Sequence, residues 1–278
     1  MSSLSRMLAV LDLLTAEAPA WTAEAVAQKL DCSLPTAYRY VRELAAAGLL
    51  RRGSSGTYVL GPRAIELDYQ MRVTDPVLLA GRGAFQSLCE TTGCDVVLAS
   101  VYGDRVITIH QLQGSEGVSA TYGRGRRMPL FRGMLSKVLL AAMPRAQLRR
   151  LHRLHEAEAR KEAFAKDWDT LLANLKAIRS AGHCVSYGEL DPDLVGVAVP
   201  LVSREHEIEA ALGLIITRKR FAMTDLERML QGLNEAVVQI IAGLSAAESK
   251  PGLPVKPAAK ASAATKSAAT NPTATEHH

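Results

Sequence analysis

The chain has 278 residues, 48% hydrophobic, 22% charged and 5% aromatic. That length suits two domains, the apolar fraction excludes a wholly disordered chain, and no uncharged stretch approaches the roughly 20 apolar residues of a membrane helix. The formal net charge of +5 comes mostly from the end of the chain, where residues 249–278 hold four lysines and one glutamate, so charge alone says little about a nucleic-acid partner. No signal peptide is readable, because Asp12 and Glu17 interrupt the short apolar stretch after Arg6. Cys32, Cys89, Cys94 and Cys184 lie apart, without CxxC or metal-ligand spacing. They read as reduced intracellular thiols, so a cytoplasmic protein without metal or other cofactor is expected.

Leu4, Met7, Leu8, Leu11 and Leu14 recur at helical spacing and predict a first helix from Leu4 to Ala16, closed by Pro19. Thr22 is placed to cap a second, with Val26, Ala27 and Leu30 inward. Ser33 opens a third that carries Pro35 in its first turn and stops at Gly48. On this third helix Leu34, Ala37, Val41 and Leu44 form an apolar stripe, while Thr36, Tyr38, Arg39, Arg42 and Glu43 face away. Leu49–Arg52 and Thr57–Leu60 then read as strands around a Gly53–Gly56 turn. Helices joined by a short turn and followed by a hairpin make a winged helix-turn-helix.

Charge is split within this module. Residues 33–63 hold five arginines and one acid, whereas residues 1–32 hold two basic and four acidic side chains. Such polarity suits a face set against phosphates. The third helix, from Pro35 through Thr36, Tyr38, Arg39 and Arg42, is expected in the major groove of double-stranded DNA. Arg51, Arg52 and Ser54 of the hairpin are expected on phosphate or in the minor groove.

In these residues the chain resembles the IclR family of bacterial transcriptional regulators, over about residues 4–248. Thr36-x-x-Arg39, Leu44, Gly48 and Gly56-x-Tyr58-x-Leu60-Gly61 match the family pattern in the first part. Pro129-Leu130, Lys137-x-Leu139-Leu140-Ala141, Gly182 and Pro200 match it in the second. The resemblance implies an α/β (α+β) protein with an N-terminal winged helix-turn-helix, a linker helix and a C-terminal GAF-like or profilin-like effector-binding domain. It also implies a homodimer or dimer of dimers on promoter DNA, controlled by a small organic, often aromatic, acid. The expected boundaries are 1–61 for DNA binding, 62–75 for the linker, 76–248 for the effector domain and 249–278 for a disordered basic tail.

Ile65, Leu67 and Met71 give the linker helix an apolar surface for a partner subunit or for its own domain. Beyond Asp75-Pro76 the pattern predicts a helix over Leu78–Cys89, strands over 95–102 and 105–113 around Gly103-Asp104, and a strand over 118–122. Helices follow over 133–142, 146–166 and 168–181, then strands over 183–187, 195–202 and 208–217. A closing helix over 224–244, capped by Thr224, completes a mixed sheet covered on at least one side.

The effector pocket is carried over by resemblance. It falls at Phe131, Arg132, Gly133, Met134 and Leu135 after the Pro-Leu pair, at Ser186 and Glu189, at Gly196, and at Gly213 and Ile215. Members of the family often have cysteine or serine where this chain has Gly196, Gly213 and Ile215, so a larger and less polar pocket is expected. Arg132 stands where a small residue is usual and is a candidate partner for a carboxylate; the alternative places it, with Arg124, Arg126 and Arg127, on a solvated basic surface.

No GxSxG, P-loop, dinucleotide fingerprint or HExxH is present, so catalysis is not expected. His152 and His155 read as a solvated helix face. Two other functions compete with the regulator: a small-molecule-binding or catalytic α/β domain whose helix-turn-helix makes protein contacts, and redox sensing through Cys89 and Cys94.

Overall fold

A computed structural model describes residues 2–115, 117–118 and 120–248. The expected disordered tail lies outside the described residues. The first three helices are α1 (Ser3–Leu13), α2 (Ala23–Lys29) and α3 (Leu34–Ala46). Strands β1 (Leu50–Arg52) and β2 (Tyr58–Leu60) form the antiparallel wing. Helix α1 stops at Leu13, three residues before the expected end, because Thr15 turns back onto Ala18 through two hydrogen bonds.

Val10, Val26, Ala37, Tyr40, Val41, Leu44 and Leu50 form the core of this module. Leu34, expected in the stripe, is 42% exposed at the first position of α3, ahead of the packed stretch that begins at Ala37. Tyr40 is buried in its place, with its hydroxyl 3.0 Å from that of Ser3. The wing gains an edge from Trp21, whose backbone exchanges two hydrogen bonds with Tyr58. Gly61 closes the hairpin against the end of α3: a Cβ there would stand 2.1 Å from the Gly48 carbonyl oxygen.

Helix α4 (Arg63–Thr74) has no buried residue. Ile65, Leu67, Tyr69, Met71 and Val73 are all exposed. Asp75 then caps α5 (Pro76–Thr92), its carboxylate accepting from the amides of Val77 and Leu78.

The remaining strands are β3 (Asp95–Tyr102), β4 (Arg105–Leu112), β5 (Arg127–Met128), β6 (Cys184–Tyr187), β7 (Leu194–Ser203) and β8 (Ile208–Thr217). They pair in the order β5-β4-β3-β8-β7-β6, and every neighbouring pair is antiparallel, so the sheet is not mixed. The strand expected over 118–122 is absent; Ser119 lies outside the described residues and the edge strand falls at Arg127–Met128 instead. Between the strands run α6 (Met134–Ala142), α7 (Arg145–Leu154), α8 (Glu156–Ala159), α9 (Trp168–Ala181), α10 (Arg218–Phe221) and α11 (Leu226–Glu248). The single helix expected over 146–166 is broken, since α7 ends at Leu154 and α8 is one turn. Asp225, rather than Thr224, accepts a first-turn amide of α11 at 2.9 Å.

Both faces of the sheet are covered, by different means. Strand residues alternate between faces. Large side chains of β7 and β8 (Val195, Val197, Val199, Leu201, Leu212, Leu214, Ile216) meet α5 and α11. The opposite face of the same strands presents Gly196, Ala198, Ala211 and Gly213, and there α6 lies against the sheet with Met134 to Ala141 all buried. Small residues on the strands are what let α6 approach. Among the described residues no helix is long and apolar enough to cross a membrane, and no group of three or more His, Cys, Asp or Glu gathers as metal ligands.

Gly61→Ala tests the closure of the wing. Backbone must move to admit the methyl group, so the variant should lose roughly 2 kcal/mol or more from the N-terminal module. Hydrogen exchange should rise in α3 and β2 and stay unchanged in β7 and β8.

Candidate nucleic-acid interface and ligand cleft

Pro35, Tyr38, Arg39, Arg42, Arg51, Arg52 and Ser54 are exposed and Thr36 is half-buried, so each of the expected interface residues is at least partly accessible. The arginines are lightly held. Arg42 reaches Glu43 only at 3.7 Å with its side chain 76% exposed, and Arg39 lies 5.7 Å over the Tyr40 ring. The side chains of Arg51 and Arg52 leave the strand on opposite sides.

Two of the polar residues are already engaged. The Tyr38 hydroxyl donates to Glu24 on α2 at 2.7 Å, which lowers the Glu24 carboxyl and raises the phenol from their ordinary values. The Ser33 hydroxyl makes no bond to the α3 backbone and pairs with the Thr36 hydroxyl at 2.8 Å. Glu24 was not legible as part of this surface, because its contact crosses between helices.

In the second domain the start of α6, the loop after β6 and the inner face of β7 and β8 enclose a small cleft. Met134, Ser186, Glu189, Gly196 and Ile215 line it, as expected. Gly188, within the expected stretch from Ser186 to Glu189, lines it too, as do Leu190, Asp191, Leu194 and Val195, which were not anticipated. Phe131, Arg132, Gly133, Leu135 and Gly213 stand behind this lining. Phe131 is wholly buried, its ring edge-on to His152.

The glycines do not enlarge the cleft. A Cβ on Gly196 would stand 2.3 Å from Met134 Sδ, and one on Gly213 would stand 3.1 Å from Met134 Cε. The thioether has taken the volume that side chains on those strands would occupy, and about 40 Å³ is left, room for no more than a few waters. Met134 is unbranched and pliable, so it can fill such a space and also vacate it.

Arg132 is likewise committed. Its guanidinium donates to the Glu189 carbonyl and lies 3.8 Å from Glu162, so it does not point into the cleft. Two other cations stand at the lining: Arg218, whose guanidinium would be 2.7 Å from a Cβ on Gly188, and Lys137, on α6 within a run of apolar residues. Its side chain is only 10% exposed; its Nζ is 2.5 Å from Glu189 Oε1 and 4.6 Å over the Phe164 ring. A lone lysine in an apolar helical run is a sequence signal for a buried partner, but it does not say which acid supplies it.

The two domains are joined by ion pairs. Arg124 donates to Asp68 of α4 at 2.8 Å, and Arg105 of β4 to Asp12 of α1 at 3.0 Å. Arg124 is therefore not part of a solvated basic surface; its side chain is 23% exposed. His152 is half-buried between the rings of Phe131 and Trp168, contrary to the expected solvated face. Cys89 and Cys94 are buried, and burial pushes the Cys89 thiol up, away from the reactive thiolate. Burial likewise pushes Cys184 up to about 11.

A winged helix-turn-helix joined to an α/β domain with a small cleft, filled in this conformation by Met134, points to a DNA-binding transcriptional regulator of the effector-responsive class. The sequence model described as the IclR helix-turn-helix domain matches residues 3–54, and that of the bacterial transcriptional regulator IclR C-terminal region matches residues 76–242. The chain belongs to the IclR family. The HTH-type transcriptional regulator KipR of Bacillus subtilis is 25% identical over 205 residues, covering 73% of this chain and 81% of its own. BhcR of Paracoccus denitrificans is 27% identical over 244 residues, 87% and 86% of the two chains. Among solved structures, an IclR homologue of Microbacterium hydrocarbonoxydans, complexed with 4-hydroxybenzoate, superposes with a TM-score of 0.65 at 25% identity, covering 88% of this chain and all of that one.

The fit between Met134 and the two glycines is testable. Gly196→Ala forces its methyl group onto Met134 and should cost roughly 1–3 kcal/mol of domain stability. Adding Met134→Ala should recover most of that loss, because the clash has a single partner. Thermal denaturation of the two single variants and the double variant measures the coupling.

Proposed function

We propose that this regulator binds a palindromic operator as a homodimer or dimer of dimers and that a small organic acid with an apolar body, seated in the cleft at the start of α6, sets its DNA affinity. The DNA reading rests on one observation: five of the expected contact residues on α3 and the wing, four arginines and a serine, are exposed with little internal pairing. Arg39 or Arg42 takes a guanine edge, worth about 1–3 kcal/mol of discrimination. Arg51 and Arg52 hold phosphate and set position.

The dimer reading is supported by α4, which exposes Ile65 at 72% and Met71 at 51% and buries no residue against its own chain. The acid reading is supported by the 4-hydroxybenzoate complex of the relative from Microbacterium hydrocarbonoxydans. Effector control requires that the acid bind the DNA-competent and DNA-incompetent arrangements with different free energy. Arg124, bonded to Asp68 on α4, is where a change in the effector domain reaches the helix that carries the DNA module.

The test is a gel shift with DNA from upstream of the gene. Arg39→Ala with Arg42→Ala should weaken operator binding about tenfold or more, while sedimentation still finds the oligomer. Arg51→Ala should weaken all sequences evenly and reduce the salt slope by about one. Failure of the unmodified protein to shift any upstream fragment at low salt, with or without acids, would overturn the reading.

A further inference from the structure

The charges of the cleft conflict with an anionic ligand as the cleft now stands. The ionisable side chains that line it are Glu189 and Asp191, both acids. Arg218 stands at the rim beside Gly188; the groups at the start of α6 that suit a carboxylate lie just behind the lining and are taken. The Gly133 amide, at the start of α6, donates to Glu189 Oε2 at 2.9 Å, and Lys137 Nζ donates to Glu189 Oε1 at 2.5 Å. Arg132 is occupied by the main-chain carbonyl of the same residue.

Glu189 itself is held less firmly than its donors. Lys137 is fixed on a helix buried along its length, whereas Glu189 sits in the loop between β6 and β7 with its side chain 29% exposed. An acid that joined Glu189 would place like charges side by side in a partly enclosed space. An acid that replaced it would inherit an amide donor and an ammonium with the local charge unchanged.

We propose that acids enter this cleft by exchange: the ligand carboxylate takes over Gly133 N–H and Lys137 from Glu189, which is the protein's own occupant of a carboxylate site. This rests on the acid-effector reading and specifies it further. The exchange balances for one negative charge, so the ligand is a monocarboxylate; a second carboxylate would face Asp191. Glu189 is then a specificity-determining residue, and the released side chain turns out with its loop.

Glu189→Ala removes the resident carboxylate, and acetate is the probe, with acetamide as its neutral counterpart. Calorimetry on the full chain should find acetate at least about tenfold tighter on Glu189→Ala than on the unmodified protein, with acetamide indifferent to the change. Acetate, and not acetamide, should raise the melting midpoint of Glu189→Ala by several degrees. Adding Lys137→Met should abolish that response.

If Glu189→Ala folds poorly, the titration is run as refolding, read by tryptophan fluorescence, and acetate-specific recovery is the same positive result. Equal action of acetate on both proteins, equal action of acetate and acetamide, or a response that survives Lys137→Met overturns the exchange. An acid that shifts operator affinity yet binds Glu189→Ala and the unmodified protein equally also overturns it, while leaving the acid-effector reading intact. If no acid moves operator affinity, that reading fails, and the acetate response still decides whether Glu189 fills a carboxylate site.

Discussion

The Arg124–Asp68 ion pair is the contact on which the mechanical account depends. Helix α4 buries no residue of its own, so its placement relative to the effector domain is set by its join to α5, by this bond and, through the N-terminal module that its first turn is bonded to, by Arg105–Asp12. Exposed ion pairs contribute only about 0–1 kcal/mol. Here the guanidinium is largely covered but Asp68 is 46% exposed, and the Arg124 Nε and Nη1 have no hydrogen-bond partner, which costs rather than adds stability, so the pair belongs at the upper end of that range at most. Asp68 is shared with Arg72 at 3.0 Å, so the carboxylate has an alternative when Arg124 leaves. A contact of that strength, with a second arrangement at hand, reaches at most the lower end of the roughly 1–3 kcal/mol typical of coupling between sites.

The path from cleft to Arg124 is short in sequence and continuous in space. Asp191, in the loop that carries Glu189, accepts from the backbone and hydroxyl of Thr121. Three residues later comes Arg124. The intervening backbone is fastened to β4, where the Thr108 hydroxyl donates to the Tyr122 carbonyl and the Gly125 amide donates to the Thr108 carbonyl. A loop opened by a ligand therefore pulls on a segment that is anchored at both ends. Spatial continuity is a reason to measure coupling and no substitute for it.

Much of the fold was legible because its signals are local. The Thr22 cap, the Gly48 and Gly182 stops and the Gly103 turn fixed most boundaries within a few residues. Misreadings came where a distant contact decides the outcome. The all-antiparallel order depends on crossovers that no local pattern encodes. Tyr40 is buried through a partner 37 residues away, and Trp21 joins the wing by one bridge. In the cleft, Gly196 and Gly213 looked like space because their occupant, Met134, lies on another element. Arg132 looked like an anion receptor because its real partners, Glu189 and Glu162, lie 57 and 30 residues further along the chain.

The most direct test of the central claim is operator affinity by fluorescence anisotropy, with and without the acid that the regulator answers to, in the unmodified protein and in Asp68→Asn. The account predicts that Asp68→Asn still binds both operator and acid, while the ratio of operator affinities with and without acid collapses toward one. An unchanged ratio in Asp68→Asn would show that the signal leaves the effector domain by another route and would contradict the account.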